Sequence, residues 1–305
     1  MIITIPIKNQ KDIGTPSDSV VVLGYFDGIH KGHQELFRVA NKAAMKDLLP
    51  IVVMTFNESP KIALEPYHPD LFLHILNPAE RERKLKREGV EELYLLDFSS
   101  QFASLTAEEF FATYIKAMNA KIIVAGFDYT FGSDKKTAED LKDYFDGEVI
   151  IVPPVEDEKG KISSTRIRQA ILDGNVKEAG ELLGAPLPSR GMVVHGNARG
   201  RTIGYPTANL VLLDRTYMPA DSVYVVDVEI QRQKYRAMAS VGKNVTFDGE
   251  EARFEVNIFD FNQDIYGETV MVYWLDRIRD MTKFDSVEQL VDQLKADEEV
   301  ARNWS

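Results

Sequence analysis

The segment Leu23-Gly24-Tyr25-Phe26-Asp27-Gly28-Ile29-His30-Lys31-Gly32-His33 constrains the chain more than any other, because the apolar run Val20 to Leu23 leads directly into it. That run reads as a buried strand, the glycines as a turn, and the residues from His30 onward as the start of a helix. Strand, turn and helix in that order aim free backbone N–H groups at whatever lies above the turn, and a phosphate satisfies them well. His30 and His33 fall on one face of the first helical turn, where both can donate to phosphate oxygens. Gly24, Phe26 and Gly28 belong to the same phosphate-binding turn. A zinc pair would use the same spacing, but the chain has no Cys, its other histidines are only His68, His74 and His195, and no carboxylate separates the pair. Two ordinary structural histidines are the plain alternative.

At 305 residues the chain exceeds what one core usually spans, and 44% apolar with 28% charged residues is an ordinary globular balance. The net charge of −12 is spread over both halves: residues 1–185 hold 22 Lys and Arg against 29 Asp and Glu, and the remainder 14 against 19. A nucleic-acid partner would ask for a basic face, so the expected partners are small molecules. There is no apolar run of membrane-spanning length, no leader at Met1-Ile2-Ile3-Thr4-Ile5-Pro6, and no Cys for disulfides or thiol catalysis. These features predict a cytoplasmic protein without a membrane partner, and leave the oligomeric state open.

The first half alternates strand-length apolar runs with helical patterns. Val20 to Leu23, Ile51 to Thr55, Leu93 to Leu96, Ile122 to Ala125 and Val149 to Val152 are the runs. Asn77-Pro78 with Glu80, and the capping box Thr106-Ala107-Glu108-Glu109, mark helix starts. Such alternation predicts a parallel sheet covered by helices, with ligands beyond the carboxyl ends of the strands. Gly184 to Gly191 reads as a linker, which divides the chain into domains 1–185 and 186–305. The second is strand-like and turn-rich, with runs at Val223 to Ile230, Tyr235 to Val241, Phe254 to Phe259 and Thr269 to Leu275 that predict a small antiparallel barrel. A helix capped by Ser286, with Gln289 three residues on, closes it, and Val287, Leu290, Val291 and Leu294 form its apolar stripe.

Three further strings carry chemistry. Gly126-Phe127-Asp128-Tyr129-Thr130-Phe131-Gly132 follows a strand, and its residues alone suit an aromatic turn serving the core as well as a ligand loop. Ile162-Ser163-Ser164-Thr165-Arg166-Ile167-Arg168 places hydroxyls and cations at a helix start, as an N-cap with solvated arginines would. Gly191 to Leu210 is Gly-rich, and its Thr207 and Asn209 offer neutral oxygens at alternate positions of one strand, a set suited to Mg²⁺. A Gly-rich hairpin is the alternative there.

His30-Lys31-Gly32-His33 resembles the His-x-Gly-His signature of nucleotidylyltransferases, and the longer string around it resembles the flavin-adenylylating branch. Gly204-Tyr205-Pro206-Thr207-Ala208-Asn209, with Arg253 to Phe261 and Asp264-Ile265-Tyr266-Gly267, resembles the riboflavin kinases. The whole chain therefore resembles the bifunctional prokaryotic riboflavin kinase/FAD synthetases. The resemblance implies an α/β architecture with a Rossmann-like nucleotidylyltransferase domain ahead of the barrel and its closing helix. It also implies ATP as co-substrate, Mg²⁺ as cofactor, and riboflavin, FMN and FAD as substrates and products. By the same resemblance Glu255 is the catalytic base of the kinase, His30 and His33 act in adenylylation, and Ser164, Thr165, Arg168, Gly196 and Gly200 bind ATP phosphates. Asp128 and Phe131 face the flavin, and Thr207 and Asn209 hold the metal. The chain departs from the family's pattern at Asn57-Glu58-Ser59-Pro60, Ser222, Val245 and Asn257. Rival readings are a synthetase with a weak or inactive kinase module, transfer to another phosphate compound, and a flavin-binding regulator without catalysis.

Overall fold

The computed structural model describes residues 2–14, 16–196, 199–243 and 252–305, and Val245 lies outside them. The chain divides into two compact units, 1–163 and 164–305. Among the described residues no helix is long and apolar enough to cross a membrane.

The first unit is built on six parallel strands: β1 (Ile3–Ile7), β2 (Ser19–Leu23), β3 (Ile51–Phe56), β4 (Glu92–Leu96), β5 (Ala120–Gly126) and β6 (Glu148–Val152). Their order across the sheet is β1-β4-β3-β2-β5-β6. Five match the expected runs. The unexpected one, β1, lies at the edge and contains Pro6, which an edge strand tolerates because one side needs no ladder donor. Val20, Val21, Val22 and Leu23 are all buried, since β2 sits in the middle of a sheet covered on both faces. Helix α1 (Lys31–Asp47) turns Leu36, Phe37, Ala40 and Ala44 inward, and α2 (Pro78–Arg87) starts as expected, with the Asn77 side chain accepting from Glu80 N–H. The Thr106 capping box also forms, opening the short helix Ala107–Phe110. From β2 the chain builds outward through β3 and β4, then crosses to the other side of β2 for β5. The loops after β2 and β5 thus flank the point where strand order reverses, the usual crevice for a ligand in such a sheet.

The second unit opens with two helices, α3 (Ser164–Leu172) and α4 (Val176–Leu183). A closed barrel follows, made from β7 (Leu187–Val194), β8 (Ala208–Leu212), β9 (Ser222–Ile230), β10 (Gln233–Lys243), β11 (Ala252–Ile258) and β12 (Thr269–Asp280), in the order β7-β8-β11-β10-β9-β12. Its interior is filled: the rings of Trp274 and Tyr224 meet edge to face at 5.2 Å, and Phe254 stacks on Trp274 at 5.3 Å. Helix α5 (Val287–Asn303) closes the unit, capped by the Ser286 hydroxyl on Gln289 N–H, with Leu294 and Ala301 packed beside Val225, Met238 and Leu275. Val287 is exposed, so the expected stripe begins one turn later.

The linker read at Gly184 to Gly191 requires correction. Gly184 caps α4 in the left-handed region, at φ 71°, and the chain enters β7 three residues later. Residues 187–189 pair with β12 in the ladder, Arg190 O also accepts from Leu213 N–H, and the register with β8 begins at Gly191. Pro188 therefore has an open side on which its missing N–H costs nothing. Ser189 is buried and its hydroxyl accepts from Trp274 Nε1 at 2.8 Å. Leu182 and Leu183 are buried as well, and α4 packs on β7 and β12, so the second unit begins before residue 186.

Candidate active sites

In the first unit the turn after β2 is held in a conformation that most side chains avoid. Phe26, Gly28 and Ile29 all have positive φ, at 57°, 91° and 49°. The surroundings enforce it: Thr55 Oγ1 donates to Tyr25 O at 2.7 Å, Asp27 Oδ1 accepts from Ile75 N–H at 2.9 Å, and Gln34 Nε2 donates to Ile29 O at 2.9 Å. Gly24 is required because a Cβ there would stand 2.7 Å from the Phe26 ring. That ring is buried against Phe37 and the edge of His33, so Phe26 can serve a ligand only through its backbone.

His30 is the N-cap of α1 rather than a residue of its first turn. Its Nδ1 accepts from His33 N–H at 3.3 Å, and the two rings stack with centroids 3.7 Å apart. Burial pushes the His30 pKa down to about 4, with the Lys161 charge adding to the effect. Burial likewise drives His33 well below the ordinary imidazole value, helped by His30 and Lys161. Both rings are neutral at pH 7. Because His30 Nδ1 is an acceptor, the ring proton sits on Nε2, which makes that atom a donor. A neutral donor beside the free N–H groups of a helix start suits an anion.

The loop after β5 brings Asp128 alongside. Its carboxylate pairs with Lys161 Nζ at 2.5 Å, and the same ammonium lies 4.5 Å from the centre of the Phe127 ring. Phe131, expected at the flavin, is buried among Phe110, Phe111, Tyr129 and Tyr144, so its ring serves the core and Phe127 is the loop aromatic open to solvent. Sequence reasoning passed over Lys161, whose signal was its place just ahead of Ile162-Ser163-Ser164-Thr165. It also passed over His74, which bridges the Tyr25 hydroxyl and the Glu58 carboxylate at 3.3 Å each, and nothing in the pattern marked that link. Asn57 and Glu58 thus form contacts of their own, Asn57 Nδ2 donating to Asp97 Oδ1 at 2.9 Å.

In the second unit Ser164, Thr165 and Arg168 lie on α3, where Arg166 is tied to Glu178 at 2.7 Å. The barrel supplies a separate cluster. Asn209 on β8 stands directly opposite Glu255 on β11, and Thr207, one residue before β8, donates its hydroxyl to Glu255 Oε2 at 3.3 Å. A Cβ on Gly196 would overlap the Asn209 amide at 2.2 Å, and one on Gly200 would meet Tyr205 O at 2.1 Å, so neither position leaves room for a side chain. Beyond them His195 stacks on Tyr266 at 3.7 Å, and Arg201 donates to the Tyr266 hydroxyl at 3.3 Å. Ser222, one of the departures, is buried and accepts from Arg277 Nε at 2.8 Å.

Residues 12–166 match the FAD synthetase family, and residues 183–305 match the riboflavin kinase family. A Listeria monocytogenes bifunctional riboflavin kinase/FMN adenylyltransferase is 38% identical over 95% of this chain and 94% of its own. The chain belongs to the bifunctional riboflavin kinase/FMN adenylyltransferase family. The Bacillus subtilis member is 37% identical over 93% of this chain and 91% of its own length. A solved structure described as a macrolide-efflux protein from Streptococcus pneumoniae is 98% identical and covers 100% of both chains, with a TM-score of 0.96. Ser164 and Thr165 fall inside the FAD synthetase match although the fold groups them with the second unit.

Proposed function

We propose that the protein phosphorylates riboflavin in its barrel unit and adenylylates FMN through its parallel-sheet unit, both with ATP. The observation that carries the adenylylation assignment is the neutral His30 and His33 pair at the start of α1, above the carboxyl end of β2. Attack by an FMN phosphate oxygen on the α-phosphorus of ATP, with pyrophosphate leaving, needs no strong base, because the nucleophile already carries about −1.5 to −2 charge. It needs donors aimed at developing charge and in-line positioning. His30 Nε2–H, the His33 ring and the N–H groups at the start of α1 supply the donors, and the motif residues Ser164, Thr165 and Arg168 are assigned to ATP phosphates. Asp128 and the loop around it are assigned to the flavin, with Phe131 supporting that loop from the core.

Phosphorylation demands a base, because a ribityl hydroxyl is a poor nucleophile at neutral pH. Glu255 takes the hydroxyl proton, the oxygen attacks the γ-phosphorus, and ADP leaves. Thr207 Oγ1 and Asn209, with the Glu255 carboxylate beside them, form the hard-oxygen set that Mg²⁺ prefers, and we assign Thr207 and Asn209 to it. Bound there, the ion would neutralise charge on the transferring phosphate. Gly196 and Gly200 let the backbone approach the nucleotide. The net charge of −12 disfavours nucleic acid, and we assign the enzyme to the cytoplasm, which fits a kinase and adenylyltransferase drawing on ATP. These constellations serve group transfer, and we prefer that assignment to the macrolide efflux named for the near-identical structure. Incubation with riboflavin, ATP and Mg²⁺, followed by chromatography of the flavins, tests the reading. FMN and FAD together uphold it; FAD only from supplied FMN would leave a synthetase alone, and neither product would leave a regulator.

A further inference from the structure

Thr207 stands just outside the strand ladder, so the ladder does not fix its direction. The residue ahead of it is Pro206, which has no N–H to anchor. The peptide plane joining Pro206 to Thr207 is nevertheless held from one side: Asn257 Nδ2 donates to Pro206 O at 2.7 Å. Asn257 is buried, and it lies two residues after Glu255 on β11, so both side chains project from one face of the strand. One strand face thus grips two consecutive residues, Asn257 on the Pro206 carbonyl and Glu255 on the Thr207 hydroxyl. Because the peptide unit is planar, orienting the Pro206 carbonyl also orients Thr207 N and narrows the directions open to its Cα–Cβ bond.

We propose that Asn257 is a positioning residue of the kinase reaction, acting through the Pro206–Thr207 peptide to aim the Thr207 hydroxyl. The inference rests on the assignment of Thr207 and Glu255 made above. Three substitutions in the full chain separate the contributions. Asn257→Ala removes the donor, Asn257→Asp keeps the shape but sets a carboxylate oxygen against the carbonyl, and Asn257→His restores an N–H. The readouts are kcat and KM for riboflavin and for ATP, the Mg²⁺ concentration giving half-maximal phosphorylation, the melting temperature, and adenylylation of supplied FMN in the same preparation.

Asn257→Ala should lower kcat/KM for ATP by about tenfold and raise the Mg²⁺ requirement, the effect expected when the Pro206 carbonyl loses the Asn257 donor that orients it. KM for riboflavin and the adenylylation rate should stay within about twofold of wild type. Asn257→Asp should lose more, and Asn257→His should recover to within about threefold. A lower melting temperature with unchanged kinetic constants would make Asn257 merely structural and overturn the proposal. If Asn257→Ala does not fold, the Asp and His variants decide: equal phosphorylation by the two would overturn it. Thr207→Val serves as the control on the underlying assignment. Wild-type phosphorylation by Thr207→Val would remove the site reading itself, whereas an inactive Thr207→Val beside a fully active Asn257→Ala would refute only the positioning role.

Discussion

Acidification should leave the His30 ring uncharged long after an ordinary histidine has taken a proton. The ring is buried, and its Nδ1 already accepts from His33 N–H, so protonation would destroy the cap of α1. It would also set a cation at the positive end of the helix dipole and against the stacked His33 ring. Burial, with the Lys161 charge adding to it, lowers the pKa from 6.5 to about 4. The unfolded chain then binds more protons than the folded one between those values, so stability falls with pH through this window and levels off, for this group, below about 4. At pH 5 the loss attributable to His30 is about 2 kcal/mol, out of about 3 kcal/mol when the titration is complete. His33, depressed in the same direction, adds to the loss. With five histidines in the chain, single substitutions assign the imidazole proton signals, and an NMR titration of the full protein reads the His30 midpoint directly. Stability of the first unit is best followed by exchange of the Val20 to Leu23 amides, because both tryptophans, Trp274 and Trp304, lie in the second unit. His30→Asn keeps an oxygen to cap His33 N–H but does not titrate, so its exchange protection should fall less between pH 7.5 and 5, by about 2 kcal/mol. A His30 midpoint near 6.5, or identical pH dependence in the two proteins, would refute the buried-neutral account.

His30→Ala or His33→Ala should slow FMN adenylylation by about 10²–10³, as loss of one donor to developing charge does, while riboflavin phosphorylation continues. Kinase loss with adenylylation spared would reverse the assignment of the two units. Glu255→Gln should lower phosphorylation by about 10²–10⁴ with adenylylation of supplied FMN intact, and a rate within a few-fold of wild type would remove Glu255 as the base. A fragment beginning at residue 164 should be more stable than one beginning at 186, which lacks buried Leu182 and Leu183, each worth about 2–5 kcal/mol on truncation to Ala. Equal melting temperatures for the two fragments would show that α3 and α4 add nothing to the barrel.

Periodicity and end signals are local, and they marked five of the six sheet strands, the caps at Asn77, Thr106 and Ser286, and the turn that carries His30 and His33. The same locality explains the failures. Pro6 and Pro188 argue against strands by propensity, yet each sits where one side of the strand lacks a ladder partner, and only the sheet order reveals that side. Phe131 and Phe127 are indistinguishable as loop aromatics until packing puts one in the core and leaves the other exposed. The sequence by itself determined the family, through strings such as His30-Lys31-Gly32-His33 and Gly204 to Asn209, and it proposed His30, His33, Thr207, Asn209 and Glu255 as the residues that act. Tertiary structure alone decided their states: the neutrality of the histidine pair is a property of burial, and the grip of Glu255 and Asn257 on Thr207 and Pro206 depends on a register joining residues about 50 positions apart. Desolvation and strand register are set by neighbours distant in the chain, and no local pattern encodes them.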